Sequence, residues 1–379
     1  MSDARIIGAG MVPFGKWVSK TSESIAQKAI LDAIADAEID RSAIGEAFCG
    51  TSYGGPLAGQ RALRDLGMTG MAITNVENAC SSGASGVREA VSAVESGRAE
   101  IALVFGVEKL TKFGGGTLPL EATDIDVSQG MVMPASYAMR AQRYLMKYGA
   151  RPEHLAMVTV KARKMAADNP YAQFRSPVTV EQVLQARMIA DPLTLLMCCP
   201  TGDGAAAVVI ANSRRARQLS RRSIRIKASV AQSGKFETGA HDISQSELTM
   251  RTVALAYEQA SVGPNDINVA EVHDAFTIAE LMYYEALGFC EEGAASSLVE
   301  SGQTTIGGRI PVNPSGGLLC RGHPVGATGI AQIIECVWQL RGDAKARQVE
   351  GCKIALTHCT GGGVSGLDHG ACLIHVLGR

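Results

Sequence analysis

The chain has little net charge, few aromatic residues and no long apolar run, and each shortage closes off a class of function. Its 36 basic and 37 acidic side chains leave a formal net charge of -1, so nothing electrostatic points to nucleic acid or a membrane surface as a partner. No uninterrupted apolar stretch is long enough to span a bilayer. The C-x-x-C spacing of a zinc knuckle is absent, since Cys198-Cys199 is an adjacent pair. Neither a metal nor a permanently bound cofactor is expected. The first residues show no charged-then-apolar targeting segment, and the terminal Leu377-Gly-Arg379 is no peroxisomal address. The ten cysteines, several in apolar contexts (Cys336, Cys352, Cys372), are therefore expected to be reduced thiols in a cytoplasmic protein.

Glycine is abundant. The 42 glycines include the runs 114–116, 316–317 and 361–363, which mark tight turns and close backbone approaches. At 379 residues the chain suggests about two domain-sized units. Its first part alternates strand and helix: a strand at 6–10, and a helix capped by Ser22 with Ile25, Ala29, Ile30, Ala33, Ile34 and Ala37 on one face. Strands follow at 47–51, 73–76 and 101–107. This is the rhythm of an α/β domain with a buried sheet. The rhythm breaks from 109 to 192, where no strand is expected. There the methionines 131, 133, 139, 146, 157 and 165 read mainly as flexible core filling. It returns with a buried strand at 204–210, and the basic run Arg214 to Arg222 reads as a solvated connection.

The second half repeats the first. The helix at 247–259 corresponds to that at 23–37, the turn and helix after 310–313 to those after 73–76, and the strands at 353–357 and 370–376 to those at 101–107 and 204–210. The expected architecture is a duplicated α/β unit, its sheets buried between helices, with an inserted loop domain. Residues 1–108 plus 193–220 would form the N-terminal half, 109–192 the insertion over the substrate site, and 221–379 the C-terminal half.

Cys80 stands at a strand-to-helix turn, in Asn78-Ala-Cys80-Ser-Ser-Gly83. A thiol near a helix N-terminus feels the positive end of the dipole, so its pKa is expected to fall and its thiolate to be a nucleophile. The bland alternative is a buried structural cysteine. Three more candidates end strands or precede helices in the second half: His273 in His273-Asp-Ala-Phe276, His323 in Gly322-His323-Pro-Val-Gly-Ala-Thr-Gly329, and His358-Cys359 in Thr357-His-Cys-Thr-Gly-Gly-Gly363. A lone histidine is more often structural, but two histidines and two cysteines at equivalent turns of a doubled fold suggest a site.

With Asn313-Pro-Ser-Gly-Gly317, Asp191-Pro-Leu193 and Cys199-Pro-Thr-Gly-Asp-Gly-Ala-Ala-Ala207, these segments resemble the thiolase family over essentially the whole chain, and within it the branch related to sterol-carrier-protein thiolases. The resemblance implies a duplicated, layered α-β-α-β-α fold in which Cys80 carries an acyl group, His323 activates it, and Cys359 moves the α-proton. It implies that His273 helps to hold the thioester oxygen, and that the backbone N–H groups of Cys80 and Gly361 form an oxyanion hole. His358 and Asn313 would support the site, and Met131, Met133 and Tyr137, with Leu118 and Met139, would line the substrate pocket. Coenzyme A would be a substrate. The chain would pair as a homodimer or dimer of dimers, and a small zinc-ribbon/OB-fold companion is a further expected partner. The branch's second cysteine is replaced by Ala275, which leaves its task to Cys359. The implied activity is CoA-dependent cleavage of a β-ketoacyl-CoA or the reverse Claisen condensation. The alternatives are a decarboxylative ketoacyl-synthase-like enzyme, or a retro-aldol or silent subunit.

Overall fold

A computed structural model describes residues 4–236 and 242–379. Eleven strands are found among them: β1 (Ala4–Met11), β2 (Glu46–Gly50), β3 (Ala72–Val76), β4 (Ile101–Lys109), β5 (Met188–Ala190), β6 (Leu193–Thr194), β7 (Asp203–Asn212), β8 (Ile224–Gln232), β9 (Val269–Glu271), β10 (Ile354–Gly361) and β11 (Ala371–Gly378). Nine of them form one sheet in the order β3-β2-β4-β7-β1-β8-β11-β10-β9. The duplication is visible in that order. In the first half β3, β2 and β4 run parallel, then β7 and β1 antiparallel. In the second half a parallel bridge joins Val312 to Ala270 of β9. From there β9 and β10 run parallel, then β11 and β8 antiparallel. The halves are stitched where Arg5 and Ile6 pair with Arg225 and Ile224.

Period-two alternation divides the sheet's side chains between two layers. Ile6, Val104, Val208 and Ile210 face the helices Ser82–Glu95 and Val325–Arg341, while Ile7, Leu103, Phe105 and Val209 pack on the helix Ser22–Asp36. Helix Val325–Arg341 touches β4 and β7 from one half and β9 and β10 from the other, so the two central helices fill the space between the half-sheets. Their approach depends on missing side chains. A Cβ on Gly83 would lie 2.4 Å from the Gly326 carbonyl oxygen, and one on Gly106 would lie 2.0 Å from it. No contact that close is tolerated.

Several details depart from the expectations. Ser22 is inside its helix, and Thr21 is the cap, its hydroxyl accepting from the Ser24 N–H at 3.1 Å. The segment 109–192 does contain a strand, β5, which pairs with β6 just beyond it, beside the helices Met133–Tyr148 and Pro152–Ala166. Residues 310–313 contribute only a bridge, Val312 to Ala270, where the matching 73–76 lies in the strand β3. Met165 is core, but Met139 and Met146 are 45% and 79% exposed, so the methionine series is no uniform core. No helix among the described residues is long and apolar enough to cross a membrane.

Candidate functional site

The turn carrying Cys80 is built by polar side chains that satisfy its backbone. The Ser82 hydroxyl donates to the Ala79 carbonyl at 2.6 Å and accepts from the Asn78 N–H at 3.0 Å. The Asn78 amide reaches Ser85 at 2.9 Å. These bonds hold Ala79 at φ 48°, a left-handed conformation that costs a non-glycine residue roughly 1–2 kcal/mol. The helix begins only at Ser82, which leaves Cys80 just ahead of it and aimed at the second half of the fold.

Four of the expected residues meet there. The sulfur of Cys80 and ring nitrogens of His273 and His323 all lie within 4.8 Å of one another, and the two rings meet edge to face at 5.0 Å. Among the described residues this is the cluster whose donors could also ligate a metal. The Cys359 sulfur lies 3.3 Å from the Cys80 carbonyl oxygen and 3.5 Å from His273 Nδ1. A strand end of one half thus closes on the turn of the other. Gly361 is required by that closure, because a Cβ there would sit 2.1 Å from the Asn78 carbonyl oxygen. The backbone N–H beside the Cys80 sulfur belongs to the next residue, Gly362.

The electrostatics correct one expectation. Burial pushes the Cys80 thiol up to about 11, against the pull of the Gly362 N–H, so the helix terminus does not make a resting thiolate. Burial, with Arg321 nearby, lowers His323 to about 3, and burial holds His273 well below its ordinary value and Cys359 well above. At neutral pH the cluster is uncharged: two thiols and two neutral imidazoles. Proton transfer from Cys80 to His323 must accompany the chemistry.

Two residues not among the candidates named from the sequence orient this set. The Thr328 hydroxyl donates to the Pro324 carbonyl at 3.0 Å and therefore accepts from His323 Nδ1 at 2.7 Å. That bond fixes the tautomer and leaves Nε2 as the free base. Its only clue was a hydroxyl on the first turn after Gly-His-Pro. Glu108, at the end of β4, accepts from the Thr51 hydroxyl and from the backbone N–H groups of Ser52, Tyr53 and Gly326. It ties the loop after β2 to the helix that follows His323, and burial raises its pKa.

Asn313 lies outside the cluster but braces it. Its side chain accepts from the Val272 N–H at 2.7 Å and donates to Glu280 at 2.8 Å, which sets the turn carrying His273. His358 is not in the cluster. Adjacent strand residues point to opposite faces, and His358 instead bonds Thr249 at 3.0 Å and packs on Tyr283. Met131, Met133, Tyr137 and Met139 line a pocket of about 190 Å3 beside Gly362, and Leu118 lines an adjoining groove that shares Leu120, Val127 and Met131 with it. All ten cysteines are unpaired.

Comparison with known proteins agrees along the chain's length. The family model "Thiolase, N-terminal domain" matches residues 4–214, and "Thiolase C-terminal domain-like" matches residues 231–372. The chain is 41% identical to benzoylsuccinyl-CoA thiolase subunit BbsB of Thauera aromatica, covering 94% of each. It is 40% identical to an acetyl-CoA acetyltransferase of Methanothermobacter thermautotrophicus over 100% of both chains. Human sterol carrier protein 2 is 37% identical across 94% of this chain and 69% of its own. Among solved structures, an Ltp2-ChsH2(DUF35) aldolase superposes with a TM-score of 0.87 at 29% identity, covering 100% of this chain and 98% of the other.

Proposed function

Because the chain belongs to the thiolase family, we propose that it cleaves a β-ketoacyl-CoA with coenzyme A, or runs the reverse Claisen condensation, through an acyl group carried on Cys80. His323 Nε2 takes the Cys80 proton as the sulfur attacks the β-carbonyl. The carbon–carbon bond breaks, its electron pair leaves as the enolate of acetyl-CoA, and the Cys359 thiol protonates the α-carbon. Coenzyme A then gives its proton to the Cys359 thiolate and attacks the acyl-enzyme. Cys80 departs and recovers its proton from His323, so every group is restored. Protonated His323 and His273 hold the enolate oxygen, and the N–H groups of Cys80 and Gly362, the two beside the Cys80 sulfur, hold the oxyanion formed at the acylated sulfur.

The observation that carries this reading is the Cys359 sulfur 3.3 Å from the backbone of Cys80 and 3.5 Å from His273. A decarboxylating condensing enzyme has no α-proton to remove and needs no second thiol there. Residues 109–192 would act as the cover of the acyl site. A homodimer is supported by β3, an edge strand with Ala72, Thr74 and Asn75 exposed. A companion chain is supported by two relatives, one named as a subunit and one solved as Ltp2-ChsH2(DUF35). The test is thiolysis of acetoacetyl-CoA and longer β-ketoacyl-CoA with no malonyl donor, alone and with co-purifying protein, while intact mass follows the enzyme. Turnover with an acyl adduct that disappears in Cys80→Ser supports the reading; an adduct that survives in Cys80→Ser refutes it.

A further inference from the structure

Resting on the thiolase reading, the geometry points to an acyl group bearing an uncharged hydrogen-bonding oxygen, a hydroxyl or keto group beyond the β-position, received by Arg140 and the Tyr137–His369 pair. The pocket beside Gly362 lies between the helix Met133–Tyr148 and the loop that follows β10. It adjoins the reacting sulfur, because Gly362, whose N–H faces Cys80, is one of its lining residues. Tyr137 stacks on Phe276, three residues beyond His273, at 4.4 Å.

An alkyl chain needs only apolar walls. Eight apolar side chains, Met131 and Met133 among them, supply such a wall on part of this pocket, but Tyr137, Arg140 and His369 set polar groups into it. The Tyr137 hydroxyl lies 2.9 Å from His369 Nε2, and His369 Nδ1 lies 3.1 Å from the Asp368 carboxylate. Arg140, 8% exposed, reaches that carboxylate at 2.8 Å and the Asp368 carbonyl at 2.9 Å, both through Nη2. Its Nη1 and Nε make no hydrogen bond among the described residues and are not sealed from solvent, so an incoming oxygen can reach them. Donors held at a pocket wall reject a ligand that leaves them unpaired far more strongly than an apolar wall rejects a missing methylene.

The same wall argues against an anion. Asp124, Asp126 and Asp368 line the pocket against the one guanidinium, which Asp368 already compensates. A carboxylated chain would meet carboxylates without a free countercharge.

The experiment is steady-state thiolysis of three β-ketoacyl-CoA substrates of equal chain length, ending in methyl, hydroxyl or carboxylate. Calorimetric binding of their non-cleavable thioether analogues runs alongside. The hydroxylated substrate should exceed the alkyl one in kcat/KM by about tenfold or more, mainly through KM, with the carboxylate poorest. Arg140→Gln should collapse that ratio. Tyr137→Phe, which keeps the Arg140–Asp368 pair, should reduce it as well and guards against a folding defect in the first variant. Equal use of alkyl and hydroxylated chains, or a preference for the carboxylate, overturns the pocket assignment and leaves the thiolase reading intact. No turnover with oxygen-dependent binding preserved overturns the thiolase reading alone, and no turnover with no binding preference overturns both.

Discussion

Thr328 offers a test of how His323 is armed. Its hydroxyl is the acceptor for His323 Nδ1 at 2.7 Å, in a position with no solvent exposure. Thr328→Val keeps the shape and removes the acceptor. The Nδ1–H is then buried without a partner, at a cost of roughly 1–3 kcal/mol, unless the ring adopts the other tautomer and loses its base at Nε2. Either route charges the step in which Cys80 gives up its proton. At about 1.36 kcal/mol per factor of ten, Cys80 acylation should slow roughly 5- to 150-fold. Thr328→Ser, which keeps the oxygen, should restore most of the rate. The assay is rapid-quench intact mass spectrometry of the acyl-enzyme under single-turnover conditions, with thermal unfolding measured in parallel. A purely structural hydroxyl would lower Tm and leave the acylation rate of the folded enzyme alone. An acylation rate within twofold of wild type for Thr328→Val would show that this hydroxyl does not set the basicity of His323.

Two further predictions bear on the same cluster. With the thiol raised to about 11 and His323 lowered to about 3, alkylation of Cys80 by iodoacetamide should rise about tenfold per pH unit from pH 7 to about 10; a plateau near pH 7 would mean a resting thiolate and contradict the burial argument. Gly361→Ala places a Cβ 2.1 Å from the Asn78 carbonyl oxygen, and overpacking of this kind costs about 1–3 kcal/mol; kcat should fall at least about tenfold, and wild-type turnover with unchanged unfolding would show that the closure is looser than described.

Much of the architecture could be read from apolar patterning. The β-branched and alanine-rich runs at 101–107 and 204–210 became β4 and β7, buried along their lengths, and small residues around Cys80 and His323 marked the turns correctly. What escaped were features set by contacts distant in sequence. No local signal shows that Glu108 serves the backbone of Gly326, 218 residues away. The dipole argument for Cys80 was sound as local chemistry, but burial against the other half outweighs it. His358 is different: strand alternation alone separates it from Cys359, and that clue was present in the residue order. Thr21 and Ser22 were both competent caps, and the choice between them falls within the usual ambiguity of helix ends.

The proposed mechanism rests on a division of labour between two thiols, Cys80 holding the acyl group and Cys359 handling the α-proton. It is tested most directly in Cys359→Ala, by following acylation of Cys80 from acyl-CoA by intact mass and exchange of the α-hydrogens of acetyl-CoA with deuterated solvent by NMR. Acylation should persist within about tenfold of wild type while exchange falls by about a thousandfold or more; exchange that survives, or acylation that is lost with it, would show that the two thiols do not share the work in this way.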